Sequence, residues 1–350
     1  MAYSNINKPT EYFNTVLYTG NGTTQSVTGV GFQPDWSWLK CRSIAYNHRL
    51  YDSVRGALNN LQSNSTAAEA AADNGLSAFN SDGFTVTQGG DAYNQSGETY
   101  VSWNWLAANG TASNTQGSIA STVSANTTSG FSIVTYTGNG SAGATIGHGL
   151  GVKPSMMIVK RRDAVDSWGV WHKNLTSINY YLRLDATTAE DSDGSTIWNS
   201  TEPTSSLITV GTSGYSNASS GTYVNYCFAE KKGFSKFGSY TGNNSSDGTF
   251  VYTGFKPAWV LFKRSSSVEN WSLYDNKRLG YNPQAYGLRP NINLEESAYG
   301  QAGTAGAVDF VSNGFKIRES GTNINSGTYI YMAFAENPLV AGNYVPTTAR

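Results

Sequence analysis

Two short segments carry residue types suited to recognising a sugar. Tyr51-Asp52-Ser53-Val54-Arg55 and Tyr274-Asp275-Asn276-Lys277-Arg278 share the pattern Tyr-Asp-x-x-Arg. An aromatic plate beside an acid and a guanidinium can stack on a sugar face and hydrogen-bond its hydroxyls. The candidate ligand-binding residues are therefore Tyr51, Asp52, Arg55, Tyr274, Asp275 and Arg278. The same pattern fits a second reading, an Asp–Arg pair that closes a turn while the tyrosine sits in the core. Trp171-His172-Lys173-Asn174 replaces the pattern at the corresponding place in the middle of the chain.

Catalytic patterns are thin. Cleaving a glycosidic bond needs two carboxylates about 5–10 Å apart. Glu230 and Glu336 each end a predicted strand alone, and Glu295-Glu296 would point to opposite faces of one. There is no nucleophile elbow and no phosphate loop. His48, His148 and His172 lack the spacing of a zinc site and read as surface or turn residues. Asp191-Ser192-Asp193-Gly194-Ser195 resembles part of a calcium loop but lacks its distal bidentate Glu, so it reads as a solvated turn. The expectation is a protein that is not an enzyme and uses no metal or cofactor.

Composition points the same way. The 350 residues include 38 Gly, 22 Tyr, 14 Phe and 9 Trp, which favours strands and tight turns over helices. Only 13% of residues are charged and the net charge is −1, against the dense basic field that nucleic acid requires. No apolar run approaches the roughly 20 residues of a membrane span, so no membrane insertion is expected. The first residues lack the charge and apolar core of a signal peptide. Cys41 and Cys227 are expected as buried free thiols.

The elements that must position these residues occur three times. Tyr18-Thr19-Gly20-Asn21-Gly22, Tyr136-Thr137-Gly138-Asn139-Gly140 and Tyr240-Thr241-Gly242-Asn243-Asn244 each open a repeat. Pro34, Pro154 and Pro257 then lead apolar strands, and Lys40, Lys160 and Lys263 follow six residues later. These lysines read as strand-end residues that guard an edge. Each repeat closes on a strand with one apolar face: Val101, Trp103 and Trp105; Val224, Tyr226 and Phe228; Ile330, Met332 and Phe334. Asp82-Gly83 and Asn313-Gly314 mark hairpins. Ser65 to Ala72 is alanine-rich and predicts one or two helical turns.

The fold expected is all-β, three tandem β-sandwich domains of jelly-roll or concanavalin A-like type. The boundaries are an N-terminal arm 1–12, repeat one 13–106, a Ser/Thr/Asn/Gly-rich linker 107–130, repeat two 131–233, repeat three 234–338 and a C-terminal tail 339–350. Repeats two and three, joined directly, are expected to pack together, with repeat one set apart.

Four long stretches, Lys8 to Gly22, His48 to Gly56, Thr222 to Glu230 and Gly233 to Asn243, resemble a family of tailed-phage virion proteins. Such proteins occur in phages of cyanobacteria and other aquatic bacteria and carry tandem concanavalin A-like domains. The resemblance covers about residues 8–338. It implies a virion location, other virion proteins as partners, assembly as a homotrimer, and a role as a tail fibre or tail appendage that engages host-surface glycan. A capsid decoration protein or head fibre is the alternative, and a glycan-cleaving enzyme the third reading.

Overall fold

The computed structural model describes residues 4–71, 74–88, 91–298, 307–321 and 323–339. Among these the chain is nearly all-β, with several antiparallel sheets and only three short helical segments: Pro9–Glu11, Asp91–Asn94 and Gly194–Trp198.

Three of the sheets share one strand order. In repeat one the opening strand Phe13–Thr19 pairs with the closing strand Thr99–Trp105. That strand pairs with the Pro-led strand Trp36–Cys41, which pairs with a return strand Arg49–Asp52. Repeat two repeats this with Phe131–Thr137, Thr222–Phe228, Met156–Arg161 and Gly169–His172. Repeat three does so with Ser235–Asn243, Ser326–Pro338, Phe255–Arg264 and Ser272–Asp275. The Pro-led strand of repeat three begins before its proline. Pro257 sits where the register to the closing strand shifts, a bulge that accommodates its missing N–H.

Each four-stranded sheet has two covered faces. In repeat three Val260, Phe262 and Tyr274 pack on Val251, Phe315 and Phe310 from a small sheet formed by Phe250–Tyr252, Gly314–Ile317 and Val308–Val311. In repeat one Leu39 and Tyr51 pack on Val27, Leu76, Phe84 and Val86 from the corresponding small sheet. Repeat two has a two-stranded counterpart, Ala144–Gly147 with Leu207–Val210. The Ser81-Asp82 and Ser312-Asn313 turns join hairpins, as the sequence predicts.

The opposite faces meet in one common core. The nine closing-strand residues predicted to face inward are all buried in it. Trp36 stacks on Tyr226 at 4.5 Å, linking repeats one and two. Phe228 meets Phe334 at 6.2 Å, linking two and three. Trp105 meets Trp259 at 5.6 Å and Phe13 stacks on Phe334 at 5.0 Å, linking three back to one. The repeats therefore close a ring, and repeat one is not set apart.

Two further expectations are corrected. The stretch 107–130 is no free linker: Ala112–Asn114 and Ser121–Asn126 are strands that extend the sheet of repeat two beyond Phe131–Thr137. Thr122 and Val123 are β-branched, and the outward edge of the opening strand gives them a ladder to join. Ser65 to Ala71 forms no helix. Ala70–Ala71 pairs with Asn59–Asn60, and the Glu69 N–H donates to the Arg162 carbonyl at 2.7 Å, so a tertiary contact overrides alanine's propensity. Ala72 and the tail 340–350 lie outside the described residues.

Candidate functional site

Side chains alternate along a strand, so Tyr51 and Asp52 cannot share a face. Tyr51 and Tyr274 point into the cores beneath the small sheets. Asp52 and Asp275 point the other way, into the seams between repeats. The structure thus separates the expected aromatic plate from its polar partners, and all six candidate residues are buried. The turn-closing reading describes them, with an addition the sequence does not show.

That addition is a clasp. Asp52 Oδ1 accepts the N–H groups of Val54 and Arg55, and Oδ2 holds the Arg55 guanidinium. The same Oδ2 accepts the hydroxyl of Tyr226, in repeat two, at 2.7 Å. Asp275 caps Lys277 and Arg278, pairs with Arg278 Nε at 2.6 Å, and accepts Trp103 Nε1 of repeat one at 3.0 Å. His172 occupies the equivalent position in repeat two, since Trp36, Met156 and Trp259 pair with Asp52, His172 and Asp275. Its ring reaches the Tyr331 carbonyl of repeat three at 3.2 Å. The residue exchange has a physical reason. Trp103, Tyr226 and Met332 are equivalent in the closing strands. Where the neighbour offers Tyr or Trp, a carboxylate receives its proton; where it offers Met, only a backbone acceptor remains and a donor is required.

Further contacts repeat around the ring. The N–H groups of Glu69, Glu190 and Glu296 donate to the carbonyls of Arg162, Ser265 and Arg42 at 2.7, 2.9 and 2.8 Å. Trp168 and Trp271 donate to the Gln62 and Arg183 carbonyls at 2.9 and 2.8 Å, and His48 meets the Arg289 carbonyl at 3.1 Å. Two seams add ion pairs. Glu69 bridges Arg55 and Arg162, each at 2.7 Å, and Arg42 binds Glu296 at 2.5 Å. In the third seam Ser265 stands in place of the arginine, and the Glu190 carboxylate accepts the hydroxyl of Thr176 instead.

The histidines are buried, not surface residues. Trp38 Nε1 donates to His48 Nδ1 and the Asn174 N–H donates to His172 Nδ1, so the proton of each neutral ring sits on Nε2. Burial, opposed by a backbone hydrogen bond, pushes His172 down to about 3 and His148 to about 4. Lys40, Lys160 and Lys263 are also buried, and burial lowers each to about 8. Each donates at 2.7 Å to the carbonyl of the residue after it, and Lys160 and Lys263 reach across a seam to the Thr66 and Thr187 carbonyls. Lys160 and Lys263 thus seal seams, Lys40 bonds the Cys41 and Ile44 carbonyls of its own repeat, and none of the three is an exposed edge residue.

Sequence reasoning missed a buried asparagine in every repeat. Asn94, Asn217 and Asn325 accept from Asn21, Asn139 and Asn243 N–H and donate to turn carbonyls, holding the opening Tyr-Thr-Gly turn. The available cue is an Asn four to six residues before the closing-strand Tyr. Among the described residues no group of three or more His, Cys, Asp or Glu could hold a metal. The Asp191 carboxylate faces Arg183 and Tyr181. Cys41 and Cys227 are buried and free. A cleft of about 340 Å³ at the outer edge of repeat two, lined by Ala108, Thr111, Val123, Ala125 and Gly149 among others, has no titratable side chain.

No curated protein and no solved structure matches the chain. Residues 8–338 match the family described as a domain of unknown function, DUF7483, and the chain belongs to that family.

Proposed function

We propose that the chain is a structural protein of a phage virion, a tail-associated appendage that presents its surface to the host. In this reading its three β-sandwich repeats, of jelly-roll or concanavalin A-like type, act as one rigid body and not as jointed beads. One observation carries it: the residues best suited to chemistry are consumed in clasps that close the ring. A protein that spends buried Asp–Arg pairs on holding its repeats together is built for rigidity. Its partners are other virion proteins and further copies of itself in a homotrimer. The ring also favours a second reading, a decoration protein seated on the capsid, because a closed ring is a knob and not a shaft.

Labelling the chain on intact particles and imaging them tests both. Density at the tail supports the first reading and density over the head supports the second. Absence of the chain from purified particles sinks the proposal. Native mass measurement of the particle-derived protein checks the trimer.

A further inference from the structure

Repeat three differs from the others on its outer face. In the small outer sheets the buried Val27, Ile146 and Val251 occupy matching central positions. Flanking them are the exposed Ser26 and Thr28 in repeat one, and in repeat two Thr145, whose N–H donates to the Ser118 hydroxyl, and the buried Gly147, which Asn114 covers. In repeat three the flanking residues are Phe250 and Tyr252, which are 45% and 52% exposed. Their spacing of two residues puts both rings on the solvent face about 7 Å apart. Strand propensity does not require this, because repeat one builds the same sheet with the small polar Ser26 and Thr28.

The surroundings select a ligand. Lys316 lies directly across from Phe250, and Asp309 lies across from Lys316. Gly314, which has no side chain, lies across from Tyr252. Lys316 pairs with Asp247 at 2.7 Å and Arg318 with Asp309 at 2.5 Å. Two cations and two anions rim the rings, so the face carries no net charge to draw a polyanion. Two partly exposed rings offer on the order of 200 Å². A stable protein partner needs roughly 800 Å². The face therefore suits a small ligand with apolar C–H faces and a hydroxylated rim.

We propose that Phe250 and Tyr252 form a binding platform for a neutral saccharide, whose ring faces stack on the two aromatic side chains while Lys316, Asp247 and Asp309 bond its hydroxyls. This relocates recognition from the buried Tyr-Asp-x-x-Arg segments to a surface that only repeat three possesses. It deepens the appendage reading by naming a ligand class, yet its test is independent of particle location.

The test applies the full chain to an array of neutral hexose and hexosamine oligosaccharides, with sialylated oligosaccharides as the anionic arm. Binding to at least one neutral member is expected. Phe250→Ala/Tyr252→Ala should weaken it tenfold or more while leaving the urea midpoint unchanged, since both side chains are exposed. Tyr252→Phe, which keeps the ring, should retain most of it. No neutral ligand at all, binding confined to the anionic arm, or binding undiminished in the double variant would overturn the proposal. Particle imaging can fail while sugar binding holds, and the reverse, so the two claims are separable.

Discussion

Asp52 and Asp275 each hold an arginine of their own repeat and a proton donor of the next. Such a buried acid is costly to orphan and costly to remove. Taking away one member of a buried ion pair leaves the other charge uncompensated, at about 3–5 kcal/mol. Asp275→Ala should lower stability by that amount, read as a drop in the urea midpoint. Tyr226→Phe removes only a hydroxyl and should cost about 1–2 kcal/mol. The histidines add a pH dependence. Their folded pKa values lie below the ordinary value of about 6.5, so the unfolded chain takes up protons that the folded chain refuses. Their contribution is fully present above pH 6.5 and is lost as pH falls toward 3. The slope is at most about 1.4 kcal/mol per pH unit for each ring. Glu319, pushed up to about 7 by burial, acts in the opposite sense between pH 7 and 4.5. So do Asp35 and Asp185, which burial also raises, whereas the ion-paired Glu69, Glu230 and Asp163 are held low and act with the histidines. Urea midpoints should fall between pH 7 and pH 4, and His172→Gln should flatten that fall; equal slopes in the two proteins would remove His172 from the account.

At the scale of elements, the buried asparagines fix the turn that names each repeat. Asn217 accepts from the N–H groups of Asn139 and Gly140 and donates to the carbonyls of Ser141 and Gly211. Asn217→Ala should cost on the order of 2 kcal/mol and speed amide exchange at Asn139 and Gly140, because those two N–H groups lose their buried acceptor. Much at this scale was legible in the sequence. The opening, Pro-led and closing strands, the lysine register and the two hairpins follow from period-two patterning and turn chemistry. The clasps were not legible. Asp-x-x-Arg reads the same whether its aspartate faces water or a neighbour, and Trp103 lies 172 residues before its acceptor Asp275. Ser/Thr-rich composition at 107–130 suits a linker, yet Thr and Val also suit a strand once an edge is offered. Phe250 and Tyr252 alternate with Val251 as a strand requires, but periodicity says which residues alternate and not which of them face water.

For the whole molecule, the common core predicts cooperativity. Trp36, Trp105, Phe228, Trp259 and Phe334 belong to one cluster drawn from all three repeats. Calorimetry should show a single unfolding transition, with equal calorimetric and van't Hoff enthalpies. Three separable transitions would mean that the seams do not couple the repeats. A fragment spanning 13–106 should not fold alone, because it would bare Trp36, Trp103 and Trp105 to water.

The seam between repeats three and one also sets a timetable. A ribosome adding about 5–20 residues per second makes Trp103 roughly 10–35 seconds before Asp275 exists to receive it. Throughout that interval the nascent first repeat carries an unfinished tryptophan face. Its early partners can come only from repeat two, so the chain zips forward from one to two and is locked by the last segment to emerge. A truncated product, lacking the final return strand, would be left with that face open and exposed to proteolysis.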